Sequence, residues 1–360
     1  MVHQPDTCLA ICLENQENVK VIGKHGTRIH RKRHRNQSSS YKTSKYIHLD
    51  TSHCQLLKQS FELRGNGQET VFNYLSTLIN QGSYKEFEAC AVNIRHSQGS
   101  NVDMMCILDY LFASRFLHTA DVYSAKTYIK SGLKLAQKTQ YPKYFTLELF
   151  TCQTRMLIIK KKLGKLQNVL DDAKMIIEAD PTCCTGRAAG WLYMNDVKNI
   201  MVQISMLNTY RSNYPLVYEH LYKHAKDSCQ KSLDHFKRDQ GKDGPFGIGF
   251  ALCRLIILLL RCGDKGLYNE CMTPDQENVE LAGKYLHQLE DSDIPITAFL
   301  KVPLLLAKSD YYYRREHIQR ALEYAQEAFQ LTENNSILEY KEQAQNRVCF
   351  LAAKLDAEGK

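Results

Sequence analysis

A pattern that occurs twice places the strongest constraint on how this chain can fold. It covers residues 163–181 and returns over residues 318–335, and each copy has a turn, an amphipathic stretch and a stop. Apolar and small residues recur there at helical spacing, namely Leu166, Leu170, Ala173 and Ile177, then Ile318, Ala321, Leu322, Ala325 and Ala328. A helix with one such stripe cannot bury it alone, so we expect neighbouring helices to stack into an array. The pattern therefore favours a binding surface over a catalytic pocket.

The composition favours helices through the body of the chain. Hydrophobic residues make up 44% of the 360 residues, prolines number only 8, and alternation of polar and apolar residues is almost absent. The fold class that we predict is all-α, with a helical repeat domain over residues 61–355. We expect residues 1–60 to form a basic, disordered arm, because their periodicity is weak.

The periodicity divides the repeat domain into successive helix pairs. The expected pairs begin near residues 68, 111, 144, 188, 250 and 295, and a final helix with a polar face covers residues 337–355. Residues 241–245 hold the strongest interior breaker and predict a bend between two sub-arrays. Pro303 follows the start of the sixth pair, so that helix is either kinked or begins late.

Three of these units carry the residue order of a known repeat. The quoted positions are Phe112, Ala113, Phe116, Ala125, Gly132 and Leu133 in the second pair, Gly164 and Pro181 in the third, and Ser309, Tyr312, Ala321 and Ala328 in the last. This order resembles the tetratricopeptide-repeat (TPR) superfamily. The resemblance implies a right-handed α-solenoid of about six TPR-like helix pairs with a C-terminal capping helix. It also implies a concave face that binds peptides or, in some members, RNA. An unrelated helical bundle is the alternative.

The net charge of +8 is concentrated in one short segment. Residues 18–46 hold nine basic side chains and no Asp or Glu, so +8 minus +9 leaves −1 for the rest of the chain. Residues 21–29 are similar to the Gly-x-x-Gly turn of KH domains, but no apolar helix follows them. The alternatives for this segment are nucleic-acid binding, nuclear import, contact with an acidic protein, or a merely solvated tail. The candidate residues are Lys24, Arg28, Arg31, Lys32, Arg33 and Arg35.

Chemistry-bearing residues do not assemble into a catalytic set in the sequence. His220 and His224 are one helical turn apart, which is the spacing of a metal pair, but no third ligand is nominated and we interpret them as exposed. The 13 cysteines are scattered within apolar runs, so we expect reduced core thiols. We predict no enzyme activity, no cofactor and no metal site. With no signal peptide and no membrane span recognised, we expect a cytoplasmic protein, with the nucleus as an alternative.

The leading functional hypothesis is an adaptor or scaffold that binds a partner protein in the concave face. Affinity would come from a few aromatic and basic anchors, for which the candidates are Tyr74, Arg115, Arg155, Lys160, Lys161, Lys162, Tyr313 and Arg314. The run at 160–162 has a solvated helix end as its alternative. One alternative function is an RNA-binding solenoid, similar to interferon-induced proteins with TPRs. Another is the sensor portion of a larger signalling protein, and a dimer through the end repeats remains open.

Overall fold

Helices build all of the regular structure that can be described. The computed structural model describes residues 67–181, 186–207, 215–239, 243–262 and 273–358, and these ranges contain thirteen α-helices and no strand. The helices are α1 (Gly67–Gln81), α2 (Tyr84–Ser97), α3 (Val102–His118), α4 (Val122–Ala136), α5 (Pro142–Ile159), α6 (Leu163–Ala179), α7 (Arg187–Leu207), α8 (Pro215–Arg238), α9 (Asp243–Leu259), α10 (Gln276–Glu290), α11 (Ala298–Arg314), α12 (Ile318–Asn334) and α13 (Lys341–Glu358), with a 3₁₀ turn at Leu338–Tyr340. The all-α prediction is confirmed for the described residues. The arm predicted over residues 1–60 lies outside them.

The helix starts follow from short polar side chains that cap exposed backbone N–H groups. Asn101, Asp121 and Asp275 precede α3, α4 and α10, and each side chain accepts a hydrogen bond from the N–H three residues further on, at 3.1, 3.1 and 2.7 Å. Such caps satisfy donors that have no partner within the helix. They fix where these helices begin.

Several boundaries differ from the sequence-based expectation. Helix α3 begins at Val102 rather than near residue 111, and α9 begins at Asp243 rather than near residue 250, so Gly244 and Pro245 of the predicted breaker lie in its first turn. The helix expected near Pro295 begins at Ala298, where Thr297 is the cap, and Pro303 lies inside its second turn. The final helix begins at Lys341 rather than at Ile337, because the 3₁₀ turn Leu338–Tyr340 comes first. That turn directs side chains into the protein, as described below.

The odd-numbered helices form an inner series. Consecutive helices pack against each other, and α1, α3, α5, α7, α9 and α11 also contact one another in that order. The last of them, α11, then contacts α1, and Phe299 of α11 stacks on His118 of α3 with ring centroids 4.0 Å apart. The series of contacts therefore closes on itself.

Small residues allow this close packing where the sequence predicted helix crossings. Ala113 and Ala125 are fully buried, and a Cβ added to Gly132 would lie 2.6 Å from the Leu149 side chain. Helix α9 is instead buried on every side, since residues 249–260 are all buried. All of them except Arg254 are apolar or small, and a helix of this composition must be surrounded. None of the helices described is long and apolar enough to cross a membrane.

The ring of Phe236 in α8 fits between two glycines of neighbouring helices. A Cβ on Gly190 of α7 would lie 2.6 Å from this ring, and one on Gly247 of α9 would lie 2.3 Å from it. Phe236 is fully buried, so its ring has no free space into which it could move. The two glycines therefore set the spacing of three helices.

Replacing Gly247 with alanine is expected to lower the free energy of unfolding by about 1–2 kcal/mol. Overpacking costs roughly 1–3 kcal/mol, and the higher helix propensity of alanine offsets up to about 1 kcal/mol of that cost. The matched control is Gly164→Ala in α6, where nothing lies within 4 Å of the added Cβ. Urea unfolding should show the control unchanged or more stable. Equal effects of the two substitutions would contradict the packing described for Phe236.

Candidate functional site

The inner helices enclose a small polar cavity. Its volume is about 50 Å³, which has room for only a few water molecules. The residues of its lining that carry the argument below are Ser114 and His118 of α3, Arg155 of α5, Lys198 of α7, Phe299 of α11, and Glu339 and Tyr340 of the 3₁₀ turn. Two residues of the 3₁₀ turn therefore form part of the cavity wall, together with side chains of the inner helices.

The carboxylate of Glu339 holds two cations from different inner helices. Arg155 Nη2 donates to Glu339 Oε2 at 2.7 Å, and Lys198 Nζ donates to Glu339 Oε1 at 2.8 Å. The three side chains are only 11–14% exposed. Arg155 Nη1 also donates to Ser114 Oγ at 3.3 Å, so this cluster joins α3, α5, α7 and the 3₁₀ turn.

The pKa values of the cluster follow from burial and from the neighbouring charges. Burial acts to raise the pKa of Glu339, but Arg155 and Lys198 outweigh it and hold that pKa well below its usual range. Burial and the positive charge of Arg155 lower the pKa of Lys198, and Glu339 opposes them. Glu339 is therefore an anion held between two buried cations.

Two neighbours of Glu339 in the chain, Ile337 and Tyr340, are also directed inward. Ile337 and Tyr340 are each 1% exposed, whereas Leu338 is 43% exposed. The Tyr340 ring packs edge-on against Phe299 with centroids 5.6 Å apart, and Lys198 Nζ lies 5.6 Å from the centre of the Tyr340 ring. Residues 337–340 thus form a wedge with one acidic and one aromatic contact in the interior.

His118 lines the same cavity and has a polar ring atom without a hydrogen-bond partner. It is 2% exposed, and its ring stacks flat on Phe299. The buried Nδ1 atom has no hydrogen-bond partner. Burial and the positive charge of Arg155 hold the pKa of His118 well below the usual 6.5, so the imidazole is neutral near pH 7.

The buried His118 predicts a loss of stability in mild acid. Because its pKa is lower in the folded protein than in the unfolded chain, the unfolded state binds the proton first, and stability falls as the pH drops below about 6.5. The slope from this one group reaches about 1.4 kcal/mol per pH unit. Urea unfolding between about pH 7.5 and pH 5.5 should show a smaller loss in His118→Phe, which keeps a ring against Phe299. Equal losses in both proteins would contradict the assignment.

Of the predicted partner-binding residues, Arg155 is the one that lines this cavity. Tyr74 donates from its hydroxyl to Glu86 Oε1 at 3.1 Å and joins α1 to α2. Arg115 pairs with Glu88 at 2.7 Å and lies over the rings of Tyr84 and Phe116. These contacts hold neighbouring helices together.

The remaining candidates lie apart from the cavity. Lys160, Lys161 and Lys162 lie at the turn between α5 and α6, where the last two are exposed. Tyr313 is buried against Phe350, and Arg314 Nε donates to the carbonyl oxygen of Leu260 at 2.9 Å. The arm candidates Lys24, Arg28, Arg31, Lys32, Arg33 and Arg35 lie outside the described residues.

Sequence analysis missed His118, Lys198, Glu339 and Tyr340. A sequence signal existed for Lys198, since it is a single cation within the otherwise uncharged stretch 197–207 of α7. Glu339 left none, because a glutamate between two polar helix ends is typical of a solvated connection. Its partners are 184 and 141 residues away in the chain.

Metal-ligating and nucleophilic side chains form no cluster in the part of the chain that is described. His220 and His224 are exposed, and no group of three His, Cys, Asp or Glu side chains in these ranges could hold a metal ion. Six cysteines within them are buried free thiols, as predicted. Burial raises the pKa of Cys152, Cys229 and Cys253 to about 12, so these thiols are poor nucleophiles at neutral pH.

Comparisons with known proteins give no family assignment. No family model matches the chain, and neither a curated protein nor a solved structure matches it.

Proposed function

We propose that this chain is an adaptor that binds a segment of a partner protein at the inner helices of a right-handed α-solenoid of TPR-like pairs. The observation that carries the proposal is the wedge 337–340, an irregular peptide segment held inside the array by two buried cations and an aromatic contact. The inner helices thus accommodate an irregular peptide segment with residue-specific contacts. The buried small residues at the helix crossings, such as Ala113 and Ala125, support the TPR-like packing.

The pairing of these interior cations favours a peptide over RNA. Glu339 already holds Arg155 and Lys198, and Glu148 holds Arg187. RNA binding requires several cations that are available to neutralise phosphates. The proposal therefore places a protein segment at the inner helices and leaves nucleic acid to the basic arm. In this proposal the adaptor acts in the cytoplasm.

The test is a selection of random peptides of about twelve residues on the full chain. We expect one family of related peptides to be enriched, and we expect Lys198→Met to abolish its binding. The matched control replaces Lys160, Lys161 and Lys162 with glutamine at the outer turn and should leave binding unchanged. Thermal unfolding of both variants separates a lost contact from a lost fold.

The RNA alternative is tested with the same protein. Fluorescence anisotropy with a short single-stranded RNA is measured at about 50 and 200 mM salt, where binding through phosphates falls steeply. The comparison variant replaces the six arm candidates, Lys24, Arg28, Arg31, Lys32, Arg33 and Arg35, with glutamine. RNA binding that survives this change, together with a selection that enriches no peptide, would overturn the adaptor proposal.

A further inference from the structure

We infer that the interior site is specific for an acidic residue followed directly by an aromatic one, and that Glu339-Tyr340 is a resident ligand which a partner must displace. This inference rests on the proposed function, since it names the chemistry of the partner segment. Glu339 and Tyr340 occupy the site in the structure, so their contacts show which chemical groups the site recognises.

The charge of the site requires a carboxylate. If the wedge leaves, Arg155 and Lys198 stay on separate inner helices with no anion between them, and burial of an unpaired charge is unfavourable. Any segment that replaces the wedge must therefore bring a negative charge to within hydrogen-bond distance of both nitrogens. One glutamate or aspartate meets that requirement, as the distances of 2.7 and 2.8 Å show.

The next position of the segment is selected for an aromatic ring. Tyr340 meets the edge of Phe299 and lies under the ammonium group of Lys198. Phe299 is held in turn by its flat contact with His118. An aliphatic residue would lose both the ring contact and the attraction between the cation and the ring face.

The wedge can leave without unfolding the helix that follows it. Its backbone is joined by a hydrogen bond from the Ile337 N–H to the Thr332 carbonyl at 2.9 Å and a weak one from the Tyr340 N–H to the Ile337 carbonyl at 3.5 Å. The N–H of Lys341, at the start of α13, donates to the Leu338 carbonyl. Helix α13 is held independently, since Arg347 makes two hydrogen bonds of 2.8 Å with Asp310 of α11. Exchange is therefore confined to a few residues between α12 and α13.

The unsatisfied Nδ1 atom of His118 explains how a partner can displace a segment that belongs to the same chain. A resident ligand has an effective concentration of roughly millimolar, so a competitor needs an added contact. His118 lines the cavity, and its Nδ1 atom is buried with no hydrogen-bond partner. A partner segment with one further polar group satisfies this atom, which the wedge does not.

The experiment uses a labelled peptide that copies residues 334–344, with blocked ends, and the full chain. Anisotropy should show binding at least about tenfold tighter to Glu339→Gln and to Tyr340→Ala than to the unmodified chain, because each change weakens the resident ligand. Glu333→Gln is the matched control, since Glu333 pairs with Lys341 at the surface, and it should bind as weakly as the unmodified chain. A peptide with glutamine in place of its glutamate should lose at least about tenfold in affinity.

A second measurement on the unmodified chain covers the case in which the variants fail to fold. Amide hydrogen exchange at residues 337–340 should accelerate with roughly millimolar peptide and stay unchanged with the glutamine peptide. Equal binding of the two peptides would overturn the inference. So would displacement of the peptide from Glu339→Gln by inorganic phosphate or short RNA at lower concentration than by unlabelled peptide.

The proposed function and this inference fail in different ways. Selected peptides that need Lys198 but lack an acidic residue before an aromatic one would support the adaptor and overturn the inference. A selection that enriches nothing would overturn both.

Discussion

Replacing Arg347 with methionine is expected to lower the free energy of unfolding by about 3–5 kcal/mol, because it leaves Asp310 as a buried charge without its cation. Arg347 and Asp310 are both fully buried, and the guanidinium donates from Nε and Nη2 to the two carboxylate oxygens at 2.8 Å each. This fork joins α13 to the inner helix α11. Urea unfolding, followed by the circular dichroism of the helices, measures the loss.

The size of the loss depends on burial, and two further variants show this. Lys143→Met breaks an exposed ion pair with Asp180 and should cost less than about 1 kcal/mol. In the double variant Asp310→Leu with Arg347→Met both charges of this pair are removed, so most of the stability should return. A single Arg347→Met variant as stable as Lys143→Met would show that the pair contributes little.

Arg347 also shows where sequence reasoning about this fold stops. The sequence predicts a polar face for the last helix, and Glu342 and Arg347 are two of its charged residues. In the structure Glu342 is exposed, but Arg347 is 0% exposed. Helical spacing predicts which residues share a face, but it does not predict a buried partner for a charge. Asp310 is 37 residues away in the chain.

The helices themselves were predictable because each signal is local. Apolar spacing, short polar caps and small crossing residues act within one or two helices, and Ala113 and Ala125 are buried as their pattern indicated. The six pairs and the last helix followed from such signals. The contact of α11 with α1 was not predictable in this way, because it depends on the packing angles of all the helices between them.

The candidate site was predictable only through Arg155. A basic residue on the first helix of a pair is a reasonable anchor, and Arg155 does reach the interior. Its partner Glu339 lies in a connection with no apolar periodicity. Side chains from α3, α5, α7 and the 3₁₀ turn are far apart in the chain and meet only in the folded protein, so no local pattern encodes the cluster.

The second large effect is expected from Glu339→Gln, which should lower the free energy of unfolding by about 3–5 kcal/mol. The substitution keeps the shape of the side chain and removes its charge, so Arg155 and Lys198 remain buried without a counterion. Glu333→Gln, at a surface pair with Lys341, should cost less than about 1 kcal/mol. Adding Lys198→Met to Glu339→Gln should recover part of the loss, because one of the two unpaired cations is then absent.

The pH dependence identifies the carboxylate as the cause. The pKa of Glu339 in the folded protein lies below its usual 4.5, so the anion stabilises the fold fully above that pH and less as the pH falls towards the folded-state pKa. The difference in unfolding free energy between the unmodified chain and Glu339→Gln should therefore be constant from about pH 8 to pH 5 and shrink below about pH 4.5. A difference that keeps its size in acid would mean that the loss comes from packing of the amide rather than from the missing charge. The peptide that copies residues 334–344 should then restore the stability of Glu339→Gln, and the same peptide with glutamine in place of its glutamate should not. That result would connect the stability of the fold to the proposed binding site.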